Sequence, residues 1–468
     1  MKRFLAIDLG AESGRAILGT LEKGKLALEE LHRFPNTPVR LEAGLYWDTF
    51  RLFHEIQLSL AAAGRERHLE LDGIGVDTWG VDYGIFGSDG ELIANPRHYR
   101  DERTDGMLER TFACVPKAQI FGETGIQFMQ LNSLYQIYAA KLARSPGLAN
   151  AKTLLFMPDL FNYWLTGVMK AERTIASTSQ FYDPVRRTWA SQLLSKLGLP
   201  ELILPEIVEP GTKLGNLSPW LAEWAGLKET PVFASAGHDT ACAVAAVPGV
   251  GDDWCYISSG TWSLMGVEID EPIINEQSMQ LNYTNEIGVG GKVRLLKNIA
   301  GLWLLQECKR SWAAEGMDYS YDELTKLAGE ARPHVAKLDP DAFLHPGNMP
   351  TKIAGWCKEH GQPVPQTAGE FCRTILESLA ERYRQVLENL QTLTGRRINT
   401  IHIVGGGSRN MLLNRLVAQA TGRRVVAGPV EATALGNILV QAIGSGALKD
   451  LDEARAVVRA SFDVAEVQ

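Results

Sequence analysis

Cysteine is scarce in this 468-residue chain. There are six, Cys114, Cys242, Cys255, Cys308, Cys357 and Cys372, and no two form a CxxC pair. Structural zinc spacing is therefore absent, and at this size a disulfide framework is unnecessary. Cys357 and Cys372 flank a short loop and could pair under oxidation, although reduced thiols are the default expectation. Long apolar runs are missing too. Asp8 interrupts the stretch Phe4-Leu5-Ala6-Ile7 before a signal-peptide core can form, and no run of membrane-spanning length follows. A cytoplasmic protein with no membrane partner is expected. Basic charge is not in excess: 47 Lys and Arg stand against 55 Asp and Glu, a net charge of −8. Nucleic acid and anionic membrane are therefore poor main partners, while a phosphorylated small molecule remains open because one local site can be positive.

Several catalytic signatures are also absent. His238 and Asp239 have no GxSxG nucleophile elbow to serve. Gly291-Lys292 lacks the upstream Gly and the following Ser/Thr of a Walker A loop. Tyr99-Arg100-Asp101 has no Asn at protein-kinase spacing, and the glycine run Gly405-Gly406-Gly407 has Asn410 where GxGxxG needs its last Gly.

What is present is a globular balance, 45% hydrophobic and 22% charged, with 45 glycines, which suits a loop-rich α/β chain. The length predicts two to four domains at roughly 100–200 residues each. Phe4–Leu9, Arg15–Leu21 and Lys25–Phe34 read as a β-meander with Gly-containing turns. Asp48 reads as the N-cap of a helix with Phe53, Ile56 and Leu60 on one face, and Gly73–Val76 as a buried strand followed by a hairpin around Ser88-Asp89-Gly90. Residues 105–230 read as mostly helical, a large insertion. Strands resume at Pro231–Ala234 and Trp254–Ile257. The block Tyr256–Leu264 has the same strand, polar glycine turn, strand grammar as Ala6–Arg15, which suggests two related α/β halves. Thr367 and Glu370 form a capping box before a long helix with the stripe Phe371, Ile375, Leu379, Val386, Leu390, closed by Gly395. The strand Ile401–Val404 then runs into the three glycines and a helix ending at Gly422.

Three places could carry chemistry. Asp8, at a strand end before a Gly/Ser turn, could hold a metal ion through water while the turn's amides meet phosphate oxygens; equally, it could cap its own turn. Asp239, between a strand and a small-residue helix, could take a proton from a substrate hydroxyl or serve as a helix cap. The glycines at 405–407 could lie flat against an adenine or ribose.

Taken together and in order, these features resemble the actin/hexokinase-type (ribonuclease H-like) ATPase fold, α/β and two-lobed with a cleft between the lobes. Within it the chain resembles the FGGY family of carbohydrate kinases. The resemblance rests on Asp8–Arg15, Asp77–Asp82, Tyr99–Thr104, Met157–Asp159, Gly237–Thr240, Ser258–Ser263, Leu296–Ile299, His402–Gly407 and Gly428–Thr433, blocks that span nearly the whole chain. It implies an N-terminal lobe over residues 1–245 with the sugar site and first phosphate loop, a nucleotide-binding C-terminal lobe over 246–450, and a tail over 451–468. It implies ATP and Mg²⁺ as cofactors. Ala11, Glu12, Ser13, Gly14, Arg15 and Thr261 would contact the ATP phosphates, with Gln306 and Gly406 seating the nucleotide. Gly80, His238, Asp239, Thr240 and Asn298 would line the sugar pocket, Asp239 would be the catalytic base, and Asp8 would hold the metal through water. Ala11 and Trp262 depart from the wider family, where Thr and a small residue are common. Both departures are similar to the branch acting on L-rhamnulose and L-fuculose. The implied reaction is ATP + L-rhamnulose → ADP + L-rhamnulose 1-phosphate, in L-rhamnose catabolism, by a monomer or weak homo-oligomer. L-Fuculose or xylulose as substrate, a non-catalytic ATPase of the same fold, and a dinucleotide-dependent oxidoreductase are the alternatives.

Overall fold

The first three apolar stretches pair as expected. In the computed structural model, which describes residues 1–467, β1 (Lys2–Leu9), β2 (Ser13–Glu22) and β3 (Lys25–Pro35) form an antiparallel meander with Asp8 opposite Arg15. On the other side of β1 lie β4 (Gly73–Thr78) and β6 (Pro231–Ala234), both parallel, while β5 (Thr212–Asn216) closes that edge antiparallel to β6. The order is β5-β6-β4-β1-β2-β3. β4 is buried at all six positions, as a parallel strand covered on both faces must be. Helix α1 (Thr49–Ala61) starts where Asp48 accepts the Arg51 amide at 3.1 Å. Phe53 sits half-buried beside Trp164, and Leu52 rather than Phe53 joins Ile56 and Leu60 in the core.

The stretch expected as a helical insertion is more mixed. It contains α2 (Met157–Thr166) and the one-turn α3 (Arg173–Ala176), but β5 belongs to the main sheet and Thr153–Phe156 pairs with Tyr83–Phe86. These strands are four or five residues long, too short for a period-2 pattern to stand out among flanking helices. Helix α4 (Asp239–Ala245) follows β6.

The second sheet opens with the hairpin β7 (Trp254–Ser259) and β8 (Ser263–Ile269), with Ser259 opposite Ser263. Next to β8 lies β9 (Val293–Ile299); on the other side β10 (Thr400–Val404) and β11 (Arg424–Ala427) are parallel, and β12 (Ala465–Val467) is antiparallel to β11. The run β9-β8-β7-β10-β11 repeats β3-β2-β1-β4-β6, so the two similar sequence blocks are the first hairpins of two sheets with one topology. Helix α5 (Trp303–Ala314) follows β9. The long helix α6 (Ala368–Thr394) is capped at Thr367, whose hydroxyl accepts the Glu370 amide, and stops at Gly395 with φ of 68°. The capping box is only half made: Glu370 accepts from the Gln366 amide instead. Phe371 is half-buried against Trp312, and the deep stripe runs through Cys372, Ile375, Leu379, Tyr383 and Val386. Helix α7 (Met411–Thr421) precedes β11.

The compact units are discontinuous in sequence. One comprises Met1–Pro248, Glu268–Leu295 and Ala432–Phe462; the other comprises Gly249–Val267, Leu296–Glu431 and the segment from Asp463. The linear division at residues 245 and 450 does not coincide with them. Helix α8 (Ala432–Gly444) belongs to the first unit, where Gln441 donates to the Leu5 carbonyl at 3.1 Å and Asn437 to that of Gly75 at 3.2 Å. Residues 451–468, expected as a tail, include helix α9 (Leu451–Ser461), whose buried Arg455 pairs with Glu268 at 2.6 Å. Such long-range partners leave no mark in a helix's own periodicity. All six cysteines are free; Cys357 and Cys372 are buried in separate helices, and burial pushes the Cys372 thiol up to about 12. Among the described residues no helix is long and apolar enough to cross a membrane.

Candidate active site

In a sheet with parallel central strands, ligands gather beyond the strands' carboxyl ends. In the first unit three adjacent strands end there on acids: Asp8 on β1, Asp77 on β4, and Asp239 just after β6. Asp8 is buried and takes two bonds from Arg15 on one oxygen, at 2.9 and 2.7 Å. The turn from Gly10 to Glu12 is closed by the Gly10 amide on the Ser13 carbonyl at 2.9 Å. Asn36 pins it from outside: its amide donates to the Glu12 carbonyl and its side chain to the Gly10 carbonyl. Ala11 and Ser13 are half-buried and Glu12 is exposed. Gly14 is buried, and a side chain there would strike the Phe34 ring at 2.3 Å, so its smallness serves packing.

Asp77 is fully buried. One oxygen accepts from Asn437 at 2.6 Å and the other has no partner. Burial, reinforced by the Asp8 charge, raises its carboxyl well above the ordinary range, which favours the protonated acid. Asp239 opens α4 and keeps 30% of its side chain exposed. Its Oδ1 accepts from the Thr240 amide and, at 3.0 Å, from the Thr240 hydroxyl. Desolvation raises its pKa, and the Asp8 charge adds to the rise. A raised, accessible carboxylate with one side bound to its own helix suits a general base.

The loop before Asp239 is clamped by residues that the sequence reading missed. The Gly237 amide donates to Glu172 at 2.8 Å, the His238 amide to the Thr174 hydroxyl at 3.2 Å, and that hydroxyl to Glu172 at 2.6 Å. Burial raises Glu172 to about 6, held down by the donors around it. Gly80 faces His238: a side chain at 80 would begin 3.4 Å from His238 Nε2 and 3.3 Å from Thr178. Val81 next to it has φ of 69°, a strained value for a β-branched residue, and is held by the Thr178 hydroxyl at 3.1 Å and by Ser133 on its carbonyl. Nearby, Asp82 is buried and accepts from the indoles of Trp47 at 2.6 Å and Trp79 at 3.0 Å; burial raises it to about 6 against those donors. Only Asp82's place in the Asp77–Asp82 block hinted at this network. Glu172, Thr174 and Thr178 carry no motif of their own.

The second unit offers backbone instead of charge. The turn 260–262 is half-buried and is seated on the loop before α5 by the Leu302 and Trp303 amides, which donate to the Gly260 and Thr261 carbonyls at 3.1 and 3.0 Å. Gly301 allows this approach, since a side chain there would lie 2.5 Å from the Trp262 backbone. After β10, Gly405 has φ of 83° and Gly407 lies so close to Ser259 that a Cβ would meet its hydroxyl at 2.1 Å. Gly406 between them is exposed, with nothing within 4 Å of a Cβ. Gln306 on α5 has its Oε1 buried without a hydrogen-bond partner. Asn298 lies half-buried on β9, away from the Gly80–His238–Asp239 group in sequence and in the other unit. Each unit therefore gathers its own set: Asp8, the turn 11–15, Gly80, His238, Asp239 and Thr240 in one, and Thr261, Asn298, Gln306 and Gly406 in the other.

Two sheets of one topology, each opening on a tight hairpin, make the fold of the actin/hexokinase-type ATPases. The fold matches a ligand-bound xylulose kinase from Lactobacillus acidophilus with a TM-score of 0.80 at 16% identity, over 100% of this chain and 93% of that one. Models of the N- and C-terminal domains of the FGGY family of carbohydrate kinases match residues 3–246 and 255–445. The chain belongs to that family and is a carbohydrate kinase. It is 45% identical to a rhamnulokinase of Bacteroides thetaiotaomicron over 98% of its length and 94% of the relative's. It is 41% identical to a rhamnulokinase of Enterococcus faecalis, over 98% and 93%.

Proposed function

We propose that the protein transfers the γ-phosphoryl group of ATP to the 1-hydroxyl of L-rhamnulose, giving L-rhamnulose 1-phosphate and ADP. The observation that carries the choice of sugar is the 45% identity to a rhamnulokinase along almost the entire chain. The observation that supports the chemistry is Asp239, a raised but accessible carboxylate at a helix start beyond a parallel strand. Asp239 takes the hydroxyl proton as the sugar oxygen attacks the γ-phosphorus and the bond to the ADP oxygen breaks. Phosphoryl transfer asks the protein chiefly for alignment and charge stabilisation. In this reading Gly80, His238, Thr240 and Asn298 hold the sugar. The amides of Ala11–Arg15 and of Thr261 receive the phosphates, while Gln306 and the open face of Gly406 seat the nucleotide. A magnesium ion bound mainly by water and phosphate asks the protein for few carboxylates, and Asp8 stands at the strand end beside the turn. Asp8 would hold such an ion through water, and the ion would offset phosphate charge.

The test is a coupled assay of ADP release with L-rhamnulose, L-fuculose and xylulose at matched concentrations. L-Rhamnulose should give the highest kcat/KM. Preference for another ketose would replace the substrate, and no ketose-stimulated release would remove the kinase reading.

A further inference from the structure

His238 is buried at the N-cap of α4, and its two ring nitrogens meet different surroundings. Nε2 lies 3.4 Å from Asp239 Oδ1 and faces Gly80, where a Cβ would stand 3.4 Å from it. At that length it is not spent in a good hydrogen bond. Nδ1 lies 3.1 Å from Nη2 of Arg294. Arg294 has no solvent exposure; the same Nη2 donates to Glu286 at 3.1 Å, and its Nε donates to the Ile287 carbonyl at 3.2 Å. A guanidinium has donors only, so the nitrogen it faces must accept. Glu286 is also 3.3 Å from Nδ1, but it is already bound to Arg294, and a proton on Nδ1 would point into the guanidinium hydrogens. A neutral imidazole that accepts at Nδ1 carries its proton on Nε2.

We propose that the buried Glu286–Arg294 pair is a positioning device that holds His238 as the Nε2–H tautomer, so that the ring presents a donor to a sugar oxygen over Gly80, beside Asp239. The proposal deepens the sugar-kinase reading and rests on it for the identity of the acceptor, although the tautomer itself is a property of the free protein. The pair's burial fits this role. Two buried charges with good geometry contribute little net stability over apolar residues of similar size, so a specific orientation is what they supply. Arg294 reaches the reaction only through His238. It is a positioning residue, and its loss acts on sugar binding before it acts on the proton-transfer step.

The decisive measurement is ¹⁵N NMR of histidine-labelled full-length protein at neutral pH, with the His238 signals assigned from a H238Q sample. Wild type should show a bare Nδ1 and a protonated Nε2; a proton on Nδ1 overturns the proposal. Removing Arg294 alone leaves Glu286 buried and unpaired, so the test variant is the double change R294M/E286M, which replaces both charges by apolar residues. Its His238 signals should move to a mixture of tautomers, and its KM for L-rhamnulose should rise about five- to tenfold with a smaller change in kcat. Unchanged signals or an unchanged KM in this variant would overturn it. R294K, which keeps a donor and a charge for Glu286, should recover most of the loss; failure to recover, with a wild-type melting temperature, counts against the proposal. If wild type shows the expected tautomer but turns over no ketose, the kinase reading fails and the tautomer assignment stands.

Discussion

The two sheets share a strand order, yet they hold opposite kinds of chemistry. In the first, the opening turn is flanked by Asp8 and Arg15, the next parallel strand bears Asp77, and the one beyond leads to Asp239. In the second, the equivalent turn is flanked by Ser259 and Ser263, and the equivalent parallel strand ends in three glycines. The topology supplies both with a tight turn and exposed strand ends. In the proposed reading, side chains then make one an acid–base centre and the other a flat backbone platform. A repeated fold does not repeat a function; what stands at the strand ends decides.

The sharpest way to break this comparison is to remove the carboxylate proposed to take the proton. Asp239→Asn should lower kcat by roughly 10²–10⁴-fold. Calorimetric affinity for ATP and sugar should stay near wild type, because the side chain keeps its shape and its Thr240 contacts. Wild-type turnover would reduce Asp239 to a helix cap. The same group fixes the acid limb of the pH profile. A base works when deprotonated, and burial and Asp8 raise its pKa, so activity should be lost as pH falls through a value above the ordinary 3.8. A kcat/KM profile flat down to that value would contradict the assignment.

In the second unit neighbouring glycines should answer differently. Gly407→Ala forces a Cβ onto Ser259 and should cost about 1–3 kcal/mol of unfolding free energy in denaturant titration. Gly406→Val meets nothing and should leave stability unchanged while weakening ATP binding by roughly tenfold, about 1.4 kcal/mol. Equal effects on stability, or unchanged ATP affinity in G406V by calorimetry, would show that the platform is misplaced.

Much of this division was legible in the sequence, because it depends on local signals. Strand–turn–strand blocks, the Asp48 and Thr367 caps and the glycine run each act over a few residues, and the structure realises them with small shifts such as Leu52 replacing Phe53 on the core face. The illegible part is long-range. Glu172, Thr178, Arg294 and Asn437 meet the site loops from 65, 97, 56 and 360 residues away, through single hydrogen bonds that leave no periodicity. The same distance effect hid the assignment of α8 and α9 to the first unit, since a helix buried along most of its length, such as α8, does not announce which sheet it covers.

Asp77 gives the smallest predicted effect and the finest test of the charged side of the comparison. It stands between Asp8 and Asp239 in the sheet order, so three ionised acids would have to share one strand-end face. Its burial and the Asp8 charge resolve this by favouring the protonated acid, against the bond donated by Asn437, which favours the carboxylate. An amide there copies a neutral carboxyl in shape and charge. Asp77→Asn should therefore change kcat less than about threefold, within the range of one altered neutral hydrogen bond. It should also leave the acid limb set by Asp239 where it was, because no charge has been removed. By linkage, a folded pKa above the unfolded one means that Asp77 withdraws stability as pH rises above the ordinary 3.8 toward its raised value, so the Asn variant should gain stability relative to wild type as denaturant titrations are moved up through that range. A fall in kcat by orders of magnitude, or a shift of the acid limb, would mean that Asp77 is ionised and that the active face carries three charges instead of two.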